Sequence, residues 1–254
     1  MVSVAAGYIK GRPVSLAVLD YGLFQVHANG RIIGIVGFLI RTDKGETILV
    51  DTGFPAKYAQ DPVRASAEDG LGSFGQVLTL TEQNLPEAQL ALLGLAPSDI
   101  DLLILTHSHI DHVGGIANFP QTPILLSQAE HDLSAPLYFG KTKTMAWPDR
   151  TYIPLMGDCD LGPGLRILSV PGHVAGQLAL WVDLPATGPV LLVSDAISRP
   201  AEITERFGTA DDPQAAIASA ERLLALAAGT GALVIYGHCP AQWPMLNKAP
   251  ELYL

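Results

Sequence analysis

Apolar residues fall along this chain in short runs punctuated by glycine, asparagine and proline. A strand buried on both faces reads as such a run. Val14 to Leu19, Ile32 to Ile40 and Thr47 to Val50 predict three strands, with turns at Asn29-Gly30 and Lys44-Gly45. Leu85 to Leu93 predicts a short helix, with Asn84 as its cap and Pro86 in its first turn. A strand from Leu102 to Leu105 follows, then Ile124 to Leu126, a helix from Gln128 to Leu133, and a loop-rich stretch from Ser134 to Asp160. The second half repeats the scheme. Leu165 to Val170, Leu178 to Val182 and Val190 to Val193 predict strands, and Leu233 to Tyr236 is the last. Pro213 to Ala228 is the clearest helix, capped by Asp211 or Asp212 and ended by Gly229. Strands then helix, twice over, predict an α/β fold of two sheets packed face to face with helices outside, as one domain over residues 1–254.

Polar residues break this pattern where strands end. The run Thr106-His107-Ser108-His109-Ile110-Asp111-His112 directly follows the strand at 102–105 and packs three imidazoles and a carboxylate into six residues. Strand ends are where α/β folds build their sites. Imidazole suits zinc, iron and other borderline metals and carboxylate adds hard oxygen, a mixture that points to a transition-metal site holding water. His173 follows Val170-Pro171-Gly172, Asp195 follows Val193-Ser194, and His238 follows Tyr236-Gly237. Gly172 and Gly237 are read as letting the backbone turn so that each imidazole points back over the sheet edge. His27 and His131 read instead as ordinary surface or core histidines.

Composition narrows the partners. Of 254 residues, 48% are hydrophobic and 16% charged, which argues against disorder. Lys+Arg number 15 against Asp+Glu 25, a formal net charge of -10 that repels a phosphate backbone and makes nucleic acid an unsuitable partner. Cys159 and Cys239 are the only cysteines, too few for a disulfide framework, so a reducing cytoplasm is the expected compartment. Cys239 reads as a small buried filler beside His238. No secretion signal is visible at the N-terminus, and no apolar run of about 18 residues predicts a membrane span.

Taken together, Leu49-Val50-Asp51-Thr52-Gly53, the HxHxDH run at 107–112, Pro171-Gly172-His173, Ser194-Asp195 and Gly237-His238 resemble the metallo-β-lactamase superfamily, and within it the N-acyl-homoserine lactonase branch. The resemblance covers nearly the whole chain, in order and spacing. It implies the four-layer αβ/βα sandwich, two packed mixed sheets flanked by helices. It also implies two divalent metal ions, zinc first with iron, cobalt or manganese as alternatives. His107, His109 and His173 would hold one ion, Asp111, His112 and His238 the other, and Asp195 would bridge them. Two ions sharing a hydroxide can attack a carbonyl and polarise it. The resemblance therefore implies a lactonase that opens a cyclic ester by attack of a metal-bridging hydroxide on a small-molecule substrate, with Asp111 or Asp195 returning a proton to the leaving oxygen. Asp51 would orient the histidine loop from behind. A homodimer is implied by resemblance alone.

For the substrate pocket, the aromatic stretch from Tyr138-Phe139-Gly140 through Trp147-Pro148 to Tyr152 is one candidate wall, and Phe54, Phe74 and the segment Ala65 to Gln76 the other. One departure from the family pattern stands out. Lactonases of this branch usually carry a tyrosine three residues after the bridging aspartate, and here that position is Ser198. Its hydroxyl is too short to replace a phenol across a pocket, which leaves Tyr138, Tyr152 or Arg199 to fill the place. The departure keeps open hydrolysis of another ester or amide on the same metals, whether phosphotriester, cyclic amide, aromatic lactone or thioester. A metal-binding sensor without activity is the remaining alternative.

Overall fold

The computed structural model describes residues 5–139 and 145–254. Seven strands form the first sheet: β1 (Pro13–Val26), β2 (Ile32–Thr42), β3 (Thr47–Val50), β4 (Gly75–Thr79), β5 (Leu102–Ile104), β6 (Ile124–Ser127) and β7 (Tyr152–Leu155), in the order β4-β1-β2-β3-β5-β6-β7. Five form the second: β8 (Cys159–Gly162), β9 (Leu165–Ser169), β10 (Leu178–Leu184), β11 (Gly188–Ser194) and β12 (Leu233–Tyr236), in the order β12-β11-β10-β9-β8. Both sheets are mixed. The strands from β3 through β5 and β6 to β7 pair in parallel, as do β11 and β12, and the remaining pairs are antiparallel.

Alternation along the strands builds the layers. Leu16, Val18, Phe38, Ile40, Ile48, Val50 and Ile104 meet Ile167, Leu178, Leu180, Val190 and Leu192 in the core between the sheets. The intervening residues Ala17, Leu19, Leu39, Leu49 and Leu103 face outward. They are covered by the short helices α1 (Lys57–Gln60), α2 (Pro62–Asp69), α3 (Pro86–Ala91) and α4 (Ile110–Val113), through Tyr58, Ala65, Leu90 and Val113. On the far side, Leu168, Ala179, Leu191 and Val193 pack against Ala216, Ala220, Leu223 and Ala227 of α7 (Pro213–Thr230). Two apolar faces per sheet explain why the strand runs lack polar alternation. The result is the αβ/βα sandwich. Two further short helices, α5 (Gln128–His131) and α6 (Ala201–Glu205), complete the α-helices of the described residues.

Several local expectations change. Asn84 does not cap α3: its side chain accepts from Thr81 N and donates to Asp20 O, which pins a separate 3-10 turn to β1. Leu85, at the start of α3, has no side-chain cap. The helix expected to end at Gly229 runs on to Thr230, because Gly231 is the residue that takes the left-handed conformation (φ 69°). Asp212 is its cap, accepting from Gln214 N and Ala215 N, while Asp211 N binds His173 O instead. The helix after β6 is a single turn, and the stretch read as loop from Ser134 to Asp160 contains β7 and the start of β8.

Candidate metal centre

Parallel directions bring the polar strand ends to one rim. Asp51 follows β3, the histidine run follows β5, and His173, Asp195 and His238 follow β9, β11 and β12. Leu178 N donates to Thr106 O at 2.8 Å and so joins the second sheet to the histidine loop. The loop carrying His173 is fixed by α7, through Asp212 N to Gly172 O and Ser219 Oγ to Pro171 O.

Gly172 has φ 144°, and a Cβ there would lie 2.3 Å from the Ala216 backbone, so turn and close approach both demand glycine. Gly237 is different. A Cβ would meet Asp195 Oδ1 at 2.6 Å, so glycine there makes room for the carboxylate. The turn strain falls on Ser194 (φ 46°) and Asp51 (φ 60°), non-glycine residues in a conformation that costs on the order of 1–3 kcal/mol and persists where its surroundings dictate it.

The seven expected ligands converge in two groups. His107 Nε2 and His173 Nε2 lie 3.0 and 3.1 Å from His109 Nδ1. His238 Nε2 lies 3.4 Å from Asp111 Oδ2, and His112 Nε2 3.7 Å from it. Asp195 faces both groups: Oδ2 is 3.4 Å from His173 Nε2 and 3.9 Å from His107 Nε2, while Oδ1 is 3.1 Å from His238 Nε2 and 3.7 Å from His112 Nε2. His112 Nε2 and Asp195 Oδ1 are buried without a hydrogen-bond partner. Imidazole nitrogens and carboxylate oxygens gathered this closely in a buried site fit divalent cations held by imidazole and carboxylate.

The surroundings set which ring nitrogen is free. His112 Nδ1 donates to Asp51 Oδ2 at 2.8 Å, and His238 Nδ1 donates to Gly34 O at 2.9 Å, leaving Nε2 of each for a metal. Asp51 also accepts from Thr106 N and Thr106 Oγ1, and Thr106 Oγ1 accepts from Ser194 Oγ. Burial pushes His112 down, but Asp111, Asp51 and Asp195 outweigh it and raise the ring to about 10. His238 is raised to about 9 against the same burial, chiefly by Asp195. Burial lowers His107 and His173 and brings His109 to about 4, so these three are neutral and ready to ligate near neutral pH. Burial pushes Asp195 up, yet His238 and His112 hold it well below the usual carboxylate range.

Behind the loop, Ser108 Oγ donates to the buried Glu130, and Leu137 N donates back to Ser108 Oγ. Both Ser108 and Glu130 lay outside the sequence reading. His27 is exposed, and His131 stacks edge-on against Tyr152, so neither joins the centre. Cys159 lies in the core between the sheets and Cys239 is a buried free thiol.

A cavity of about 250 Å³ opens above these ligands. One wall is aromatic: Phe24 stacks on Phe54 and Phe74 at 5.8 and 5.9 Å, and Phe74 meets Phe139 at 5.4 Å. The polar part of the lining comprises Arg31, Ser198, Glu202 and Thr209 beside the candidate ligands. Of the expected pocket residues, Phe54, Tyr138 and Ser198 line the cavity, as does Phe74. Trp147, Tyr152 and Arg199 do not. Trp147 Nε1 donates to Leu133 O and Tyr152 Oη to Pro148 O, so both aromatics tie down their own loop. Arg199 is bound by Glu205. Tyr138 Oη is turned away, donating to the buried Asp69 at 3.3 Å. None of the three candidates takes the place left by Ser198. Gly140 of the same stretch lies outside the described residues.

Fold and rim together define a metal-binding αβ/βα sandwich. The chain belongs to the Metallo-beta-lactamase superfamily, whose family model matches residues 34–238. It is 32% identical over 221 residues to an N-acyl homoserine lactonase of Bacillus thuringiensis, covering 84% of each chain. It is 31% identical over 234 residues to an N-acyl homoserine lactonase of Azorhizobium caulinodans, covering 85% of this chain and 86% of that one. Among solved structures, an N-acyl homoserine lactone hydrolase with N-hexanoyl-L-homoserine at its catalytic metal centre matches at TM-score 0.82 and 26% identity, over 96% of this chain and 100% of that one.

Proposed function

We propose that the chain is a lactonase that hydrolyses a cyclic ester on two divalent cations, zinc foremost, with the homoserine lactones of its relatives as the first substrates to try. One observation carries this reading: Asp195 divides its two oxygens between two histidine groups on the floor of a cavity with an aromatic wall. His107, His109 and His173 would hold one ion, and Asp111, His112 and His238 the other. Two such ions supply a hydroxide near neutral pH and polarise the carbonyl it attacks.

The chain's own residues do the rest. Asp51 and the Gly34 carbonyl keep the His112 and His238 rings in the ligating tautomer. The phenyl wall excludes water and packs the apolar part of the substrate. Asp111, which lines the cavity, is placed to carry a proton to the alkoxide as the ring opens.

Protein prepared with two zinc ions per chain should open γ-butyrolactone and N-hexanoyl-homoserine lactone, followed by proton release at pH 7.5. His109→Ala and Asp195→Asn should each lower kcat/KM by about a thousandfold or more. Full activity in a preparation shown to be free of metal, or no ring opening by the metal-loaded protein, would overturn the proposal.

A further inference from the structure

One cationic side chain in the cavity is used by nothing else in the described protein. Arg31 sits directly before β2, two positions ahead of Ile33, and both side chains reach the cavity. The Arg31 Nε is buried and has no hydrogen-bond partner. Among the described residues its guanidinium makes no ion pair. The charged side chains nearby place their hydrogen bonds on other groups. Arg199 is bound by Glu205, and Glu202 Oε2 accepts from Ser198 N at 2.7 Å. Burial pushes Glu202 up, and Asp195 adds to the rise. Burial likewise lowers Arg31, with Arg199 reinforcing it, while Glu202, Glu205 and Asp195 act the other way without giving its Nε a hydrogen bond.

A ligand with an oxygen anion would supply the acceptor that the Arg31 Nε lacks. A guanidinium offers a planar fork of donors that matches a carboxylate with two parallel charge-assisted hydrogen bonds. The same wall carries Ser198, where a short hydroxyl leaves room beside Asp195. The lining also includes Phe24, Phe54 and Phe74, which favour an apolar body. A substrate matching both walls has an apolar or flat middle, a scissile ester over the metal ligands, and an anionic oxygen group at Arg31.

We propose that Arg31 is a specificity residue that binds a carboxylate carried by the lactone substrate away from its scissile ester. This rests on the lactonase reading given above. The preferred substrates are then acidic lactones rather than those with purely alkyl chains.

The test uses a matched pair, N-butanoyl-homoserine lactone and N-succinyl-homoserine lactone, in which a terminal methyl is replaced by a carboxylate. The metal-loaded protein is expected to favour the succinyl compound by about tenfold in kcat/KM, mostly through KM, as a charge-assisted pair would. Arg31→Gln should bring the ratio to about one, and Arg31→Lys, which keeps charge but loses the fork, to a value between. A ratio of one in the unmodified protein, or a preference that survives in Arg31→Gln with an unchanged melting curve, overturns the proposal. Should Arg31→Gln fail to fold, the Arg31→Lys ratio decides: full preference overturns, partial preference supports. Where neither lactone is opened, calorimetry of glutarate and butanoate against the metal-loaded protein separates the two readings. Tighter glutarate binding that Arg31→Gln abolishes supports Arg31 while the lactonase reading falls; equal binding of the two acids overturns Arg31 as well.

Discussion

Asp51 touches the histidine loop at three points: Thr106 N, Thr106 Oγ1 and His112 Nδ1. It contacts no other expected ligand, so its effect must pass through the orientation of His112. Removing such a partner typically costs about 10–100-fold in metal affinity. Asp51→Ala should therefore weaken zinc binding by about that factor in a competition titration; unchanged affinity would place Asp51 in a purely structural role. Gly237 offers a sharper probe, since a Cβ there would lie 2.6 Å from Asp195 Oδ1. Gly237→Ala is expected to move the carboxylate and lower both metal affinity and turnover, with little change in the circular dichroism of the fold. At this scale the convergence of the seven candidate side chains was readable, because imidazole and carboxylate at fixed spacings after strand ends have few other uses. The reason for Gly237 was not readable, because it depends on a neighbour forty-odd positions away in sequence. Trp147 and Tyr152 show the same limit: composition marks them as aromatic, and only packing reveals that they serve their own loop. Arg31 carried no motif at all, since its meaning lies in an Nε that finds no hydrogen-bond partner among the described residues.

Between residue and molecule, β3, buried along its whole length, was legible and matched its expected range, as did β12 at the edge of the second sheet. The two edges of the first sheet were not. β4 is mostly exposed, and β7 contains Pro154, so neither presents the apolar run that marks a central strand. Helix α7 was clear because cap, proline and length agree, and its cap does double duty: Asp212 also donates its backbone N–H to Gly172 O. Asp212→Ala should cost about 1 kcal/mol in urea unfolding. A second element is held by charge. Glu46, just before β3, accepts from Lys10 N, Gly11 N and Thr42 Oγ1 and so ties the β2–β3 turn to the N-terminal segment. Burial pushes its carboxyl up, but these hydrogen bonds and the Lys10 charge hold it below its ordinary value. A depressed carboxyl contributes stability above its ordinary pKa and loses it as pH falls through the folded value. Glu46→Gln should thus be less stable than the parent at pH 7 and indistinguishable from it near pH 3, in paired urea titrations. An equal deficit at both pH values would assign the effect to shape rather than charge.

Across the whole molecule, the proposed ligands come from both sheets. His107, His109, Asp111 and His112 follow β5 of the first, while His173, Asp195 and His238 follow strands of the second. The sheets already share an apolar core, from Leu16 and Ile104 on one side to Leu180 and Leu192 on the other. Metal is therefore expected to reinforce the fold rather than create it. A ligand that binds only the folded state adds about 4 kcal/mol when present at a thousand times its dissociation constant. For a domain of this size each kcal/mol moves the melting temperature by roughly 2–4 °C. Stripping the metal with a chelator should then lower the melting temperature by on the order of 10 °C, while the far-ultraviolet spectrum below the transition stays the same. The shift should shrink in His173→Ala and in His238→Ala, because either change opens the clasp from the side of the second sheet. Two observations would count against this coupling: a chelated protein, proven metal-free by elemental analysis, that melts with the loaded form, or one already unfolded at room temperature. The first would mean that the rim binds without bracing the sheets, the second that the shared core is too weak to fold alone.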